Sequence, residues 1–341
     1  MGRSSTLEDH IKAIEWAESL PIRTPAGTAN LSLKVIQECY GYHLKQYFRL
    51  CGLARSKNAT PQLAERAHML IFRSRVAIER SIARYLKSNT LQWHEKLRIL
   101  TERSIYGASK KQGVSSRMPL SSCTPTRLCA AGCYAHDVLD ASPNAVVRGA
   151  INGWIAAEFE SGTTLERSSI LVHLEKHTKQ AIKYATQELE NLPEGFTRRP
   201  YIRFSHVGEI VKFPEFSNAI ASQVISLSNG TVDCVVYTRS RTAVLLDPKL
   251  WVINFTLDPS SVDHISYAPP SARIVFSSFG GETSPIASVN FLEHHRHIHM
   301  LPKTTADRIC PATLPETIDR TCDGCKCKTC FVPAVPFLSA Q

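Results

Sequence analysis

Apolar positions recur at helical spacing through the first hundred residues and give way to short β-rich runs after residue 200. Ala64, Ala67, Met69 and Leu70, then Ile78, Ile82, Tyr85 and Leu86, fit the buried faces of helices. Residues 1–105 are therefore predicted as a helical N-terminal region. Pro21, Pro25, Gly27 and Asn30 break it early, and Ser56 to Pro61 reads as a turn in which Thr60 caps and Pro61 opens the next helix. From Tyr106 to Leu120 the chain is polar and basic, with Gly107, Ser109, Lys110, Lys111, Gly113, Ser115 and Ser116. That composition predicts a linker or loop over 106–120 and a domain boundary. Two helices follow, 144–159 and 168–189, the second with Ile170, Leu174, His177, Ala181 and Tyr184 on one face.

Strand-like runs then occupy 201–207, 232–237, 250–257, 272–279 and 296–301. A helical pattern over 214–227 lies between the first two and makes a β-α-β unit, which requires parallel pairing. The other connections are short or irregular. The expected fold class is α/β, a partial or distorted (β/α) barrel-like domain over 121–333, with the helical region before it and a tail over 334–341.

Composition adjusts this picture in two ways. A chain of 341 residues with 43% hydrophobic content can bury a sizeable core in two or three domains. It contains no run of about 18 apolar residues and no signal-type apolar segment near its start, so a soluble, cytoplasmic protein is expected. Net charge is +10, and residues 34–103 hold 14 Lys or Arg against 5 Asp or Glu, a local excess of 14 − 5 = 9. Such an excess predicts an anionic partner such as nucleic acid through 34–103, with a solvated basic surface as the alternative. Tyr40, Tyr42, Tyr47 and Phe48 interleave with that charge and can either stack bases or fill a helical core.

The candidate chemistry lies in the cysteines. Eight of eleven form two groups: Cys123, Cys129 and Cys133, then Cys310, Cys322, Cys325, Cys327 and Cys330. Thiolates at such spacing converge on a metal ion or an iron-sulfur cluster, whereas a disulfide framework belongs to short secreted chains. Three thiolates in the first group leave one coordination position open for substrate, water or an organic ligand, unless a fourth protein ligand such as Cys310 fills it. The second group can close a four-thiolate site by itself, and structural zinc there needs no catalytic role. Zinc therefore stands as the alternative to iron, or as a second metal.

The Cys133-Tyr134-Ala135 ending, Ile202 to Glu209, Val236 to Ser240, Cys310-Pro311 and the terminal cysteines together resemble the phage "gene product eighty-eight" domain family over about residues 105–333. In its cysteine loop that family is similar to radical S-adenosylmethionine proteins. The resemblance implies a phage- or plasmid-type metalloprotein with a [4Fe-4S] cluster on Cys123, Cys129 and Cys133 and S-adenosylmethionine on the open iron. It places Gly208 and Glu209 at the position of a Gly-Gly-Glu-type cofactor turn and gives Arg239 an anionic group to hold. Related phage domains carry Gly-Asp there, and the cysteine spacing is x5 then x3 where radical enzymes have x3 then x2. Cys325, Cys327 and Cys330 also look like part of the zinc loop of tRNA-guanine transglycosylases.

Further candidates come from the residues themselves. His294, His295, His297 and His299 crowd one segment, and on a strand Glu293, His295, His297 and His299 share a face that can ligate metal, move protons or line a barrel. Arg203, Arg239 and Arg241 stand at or after strand ends, where they either hold a phosphate or carboxylate or pair with Asp247 or Asp258. Cys39, Cys51 and Cys234 read as small buried residues. Walker, dinucleotide-binding, Gly-x-Ser-x-Gly and His-Glu-x2-His signatures do not occur. Two functions remain: an iron-sulfur enzyme acting on a nucleic acid or nucleotide, and a non-catalytic nucleic-acid-binding protein with structural zinc sites.

Overall fold

The computed structural model describes scattered helical positions between 72 and 97, and residues 104–109, 113–126, 128–129, 143–190, 199–278 and 282–292. The chain divides into two compact units, Met1–Arg103 with Met118–Ile155, and Ser104–Arg117 with Ala156–Gln341. In the first unit Ile78, Ile82 and Leu86 are buried on helical backbone, as their spacing predicts. The positions 64–70, the strand expected at 296–301, and the His294–His299 run lie outside the described residues.

The second unit is built on one seven-stranded sheet. Its strands are β1 (Tyr106–Ser109), β2 (Gly113–Arg117), β3 (Tyr201–Val207), β4 (Asp233–Thr238), β5 (Trp251–Leu257), β6 (Arg273–Ser278) and β7 (Val289–Leu292), in that spatial order. β1 and β2 are an antiparallel hairpin, and β2 to β7 run parallel. The sheet is open, because β1 and β7 each have one neighbour among the described strands. An α/β fold with parallel pairing is thus present, and each strand is added at the same growing edge.

Within 106–120, expected as a linker or loop, Tyr106–Ser109 and Gly113–Arg117 are instead strands of this sheet. Composition misleads there because the hydroxyls are used internally. Ser115 and Ser116 are buried, with Ser115 Oγ 3.0 Å from His206 Nδ1 and Ser116 Oγ accepting the Ser205 N–H at 3.3 Å. Gly113 opens β2 at φ 66°, a backbone region that favours glycine.

Three helices accompany the strands. α1 (Pro143–Ser161) is divided between the units, and α2 (Thr164–Glu190) and α3 (Pro214–Leu227) belong to the second. These match the expected helices with extended ends. α2 packs on β1, β2, β3 and α3. Gln223 of α3 donates to Leu171 O at 2.8 Å and accepts from Thr178 Oγ1 at 3.1 Å, which ties α3 to α2. Trp251 Nε1 donates to Asn218 Oδ1 at 3.2 Å, and the Phe204 and Trp251 rings meet edge to face at 5.0 Å. Phe204, Val236, Trp251, Ile253 and Phe255 therefore form the helix-side core, where each large side chain contributes roughly 1.5–3 kcal/mol on burial. Between β4 and β5, and between β5 and β6, 3-10 turns at Arg241–Leu245 and Val262–Tyr267 replace helices, in keeping with the irregular connections expected.

Candidate functional site

Parallel strands direct their carboxyl ends to one edge of a sheet, and ligand sites form from the residues that follow them. The edge begins with an irregular exit from β3. Ser115 pairs with Arg203 and Arg117 with Val207, so two residues of advance on β2 oppose four on β3. The surplus is taken up at Ser205, a non-glycine residue at φ 59°. Ser205 Oγ accepts the Ile210 N–H at 2.6 Å, which folds the chain back across Gly208, itself at φ 72°.

That turn presents Glu209, which is buried. Its Oε2 accepts the Thr238 hydroxyl at the end of β4, and its Oε1 accepts the Arg239 N–H at 3.1 Å. Burial pushes the Glu209 carboxyl above the usual carboxylate range, against the lowering effect of those two hydrogen bonds and of the Arg239 charge. Arg239 Nη1 in turn donates to Asp258 Oδ2, at the end of β5, at 2.6 Å. Asp258 is fully buried, and its Oδ1 accepts from the Ser260 N–H, Ser260 Oγ and Ser261 Oγ at 2.9, 2.7 and 3.1 Å. One hydrogen-bonded chain thus joins the ends of β3, β4 and β5. After β6 the Glu282 carboxylate accepts the Ser278 hydroxyl, and Ser278 Oγ accepts the Glu282 N–H at 3.0 Å.

A second polar group lies on the sheet face opposite α3. Strand alternation and register put Arg203, Tyr237, Asn254 and Arg273 there, with Tyr237 beside Asn254 and Asn254 beside Arg273. The Arg203 guanidinium stacks 4.4 Å from the Tyr237 ring centre, and Asn254 and Arg273 are buried. The neighbouring His206 is held down to about pKa 3, first by burial and then by the Arg203 and Arg117 charges. It is neutral at physiological pH in a cationic setting.

Of the residues singled out by sequence, Gly208, Glu209 and Arg239 meet at one place. The arginines divide: Arg239 makes the ion pair with Asp258, Arg203 stacks on Tyr237, and Arg241 lies 3.7 Å over the Tyr267 ring. Asp247 instead caps a turn by accepting the Lys249 N–H at 2.9 Å. Cys234 is buried, as expected for a small core residue. Asp258 is the ion-pair partner that the position of Arg239 offered, whereas Thr238, Ser205 and His206 were not among the expected site residues. Their signal in the sequence is position alone, in the last residues of β3 and β4.

Cys123 and Cys129 are partly exposed in the first unit, and Cys129 donates its N–H to Thr126 Oγ1 at 3.0 Å, which caps a helical turn. These two partly exposed cysteines carry sulfur donors of the kind a soft metal centre takes. Cys133, Cys310, Cys322, Cys325, Cys327 and Cys330 lie outside the described residues. Among the described residues no three His, Cys, Asp or Glu side chains assemble a metal site, and no helix is long and apolar enough to cross a membrane. No family model, no curated protein and no solved structure matches the chain.

Proposed function

We propose that the chain is an iron-sulfur enzyme of the radical S-adenosylmethionine-like kind, with the sheet, open over its described strands, as a partial (β/α) barrel. The observation that carries this reading is the order of parts along the parallel sheet. The cysteine loop follows the first parallel strand, β2, and Gly208–Glu209 follows the second, β3, with later strands added in sequence. Cys123, Cys129 and Cys133 would hold a [4Fe-4S] cluster, and the chemistry it supplies when bound is one-electron reduction of its cofactor.

The residues at the strand ends have defined roles in this proposal. Glu209, held in place by the Thr238 hydroxyl and the Arg239 N–H, would be the acceptor for an ammonium group. Gly208 leaves the turn without a side chain, and Arg239, fixed by Asp258, offers its further donors to a carboxylate. The terminal cysteines would bind zinc or a second cluster. A nucleic acid or nucleotide as substrate rests on the charge of residues 34–103, from which buried Arg75 must be subtracted as a phosphate contact.

Metal and acid-labile sulfide analysis with a visible spectrum, on protein purified without oxygen, tests the reading. Iron, sulfide and a broad band near about 400 nm, lost in Cys123→Ala with Cys129→Ala, are expected. Colourless protein holding zinc alone would overturn the enzyme reading in favour of a zinc-stabilised binding protein.

A further inference from the structure

We propose that Glu79, in the basic N-terminal region, is a positioning residue that fixes the start of the cysteine loop by holding the Leu120–Ser122 turn. The proposal rests on the reading that this loop holds a metal, and it concerns a part of the chain that the resemblance to phage domains does not cover.

The contacts lie entirely in the first unit. Glu79 and Arg75 sit one helical turn apart, both fully buried, with Arg75 Nε donating to Glu79 Oε1 at 2.7 Å. The other carboxylate oxygen, Oε2, accepts the backbone N–H of Ser121 at 2.9 Å, across 42 residues of sequence. Ser121 lies within the 3-10 turn Leu120–Ser122, and the next residue is Cys123, whose N–H closes on Leu120 O at 3.0 Å. A carboxylate accepting a backbone N–H is among the stronger single hydrogen bonds a protein makes, and this helix-borne carboxylate is itself aimed by Arg75.

The same short segment is gripped by α1. A Cβ at Gly153 would come within 2.4 Å of Pro119 Cγ and 2.7 Å of its Cδ, and one at Gly149 within 3.3 Å of Met118 O. Ser122 Oγ donates to Pro119 O at 2.7 Å. The segment Met118–Ser122 is thus fixed by bare helix backbone at one end and by the Glu79 carboxylate at the middle of its turn. A ligand loop held so closely just before its first thiol presents that thiol in one place, which is what a metal site needs from its supporting shell. The 14 basic residues of 34–103 accordingly serve more than one purpose, because Arg75 orients an internal carboxylate.

The test uses full-length protein and three forms: wild type, Glu79→Gln, and Arg75→Leu with Glu79→Leu. The double variant removes both charges together and leaves neither one buried alone. The Gln side chain keeps an oxygen for the Ser121 N–H but turns its amide nitrogen, a donor, toward Arg75 Nε in place of the second carboxylate oxygen. In metal-free protein the rate of Cys123 alkylation by iodoacetamide is read by peptide mass spectrometry, with Cys234 as the buried reference thiol. Cobalt(II) titration on the same samples reads metal affinity by its thiolate charge-transfer band. The expected result is Cys123 alkylation about tenfold or more faster in the double variant, Cys234 still protected, cobalt affinity lower by about 10–100-fold, and the Gln variant between wild type and the double variant. Equal Cys123 rates in all three forms would overturn the proposal and leave the Arg75–Glu79 pair as core packing. Wild type that binds no cobalt would remove the metal reading, while the alkylation ratio would still decide the clamp.

Discussion

Removing His206 exposes the electrostatics of the strand ends most directly. Its ring is buried, Ser115 Oγ lies 3.0 Å from Nδ1, and its pKa falls from 6.5 to about 3 under burial and the Arg203 and Arg117 charges. A group depressed in the folded state contributes stability that is full above its unfolded pKa and is lost as pH falls toward the folded value. Each pH unit inside that window is worth about 1.4 kcal/mol, so between about pH 7.5 and 4.5 the contribution shrinks by about 2.7 kcal/mol. Glu209 acts in the opposite sense, because a raised carboxyl adds stability as pH falls. Urea unfolding of wild type and His206→Gln at each pH cancels that background. The stability gap between the two should narrow by about 2–3 kcal/mol across the window. A gap constant to within about 0.5 kcal/mol, or an imidazole resonance lost in the variant that titrates with an ordinary midpoint in wild type, would refute the reasoning.

Two further substitutions test the backbone devices. Gly153→Ala should gain about 1 kcal/mol from helix propensity alone, yet its Cβ would lie 2.4 Å from Pro119 Cγ, so a net loss of about 1–2 kcal/mol is expected. A rise in thermal midpoint would contradict the close approach. Ser205→Val should cost about 2–3 kcal/mol, because a β-branched residue is poorly tolerated at φ 59° and the bond to the Ile210 N–H disappears. Ser205→Gly keeps the backbone option and should stay within about 1 kcal/mol of wild type by the same denaturation measurement.

The parts of the fold that were legible are those whose stability comes from apolar periodicity. β3, β4, β5 and β6 and helix α3 fall at their expected positions because Ile202, Phe204, Val236, Ile253 and Phe255 alternate or repeat toward one core. β2 was not legible, since Ser115 and Ser116 look like loop residues until His206 and Ser205 are there to use their hydroxyls. β7 was missed because four residues between polar turns give no pattern long enough to read. At the site, the strand-end placement of Glu209 and Arg239 could be read from sequence. The pairing of Arg239 with Asp258 was one of two readings open from sequence, but the joining of Glu209 through Thr238 could not be read, because it depends on β3 and β4 being parallel neighbours in register.

That joining constrains how any ligand binds at this edge. Both Glu209 oxygens have internal donors, and Arg239 is paired to Asp258, which has no exposure of its own. A ligand that displaced Arg239 would leave a buried carboxylate without its cation, a loss of about 3–5 kcal/mol that few single contacts repay. Binding must therefore add to the network and leave the Arg239–Asp258 pair in place. The larger cationic capacity lies elsewhere on the sheet, where Arg203 and Arg273 flank Tyr237 and Asn254 and lower the proton affinity of His206 from the Arg203 side. The groups at the strand ends are thus paired among themselves, while the cationic group on the face opposite α3 holds His206 neutral.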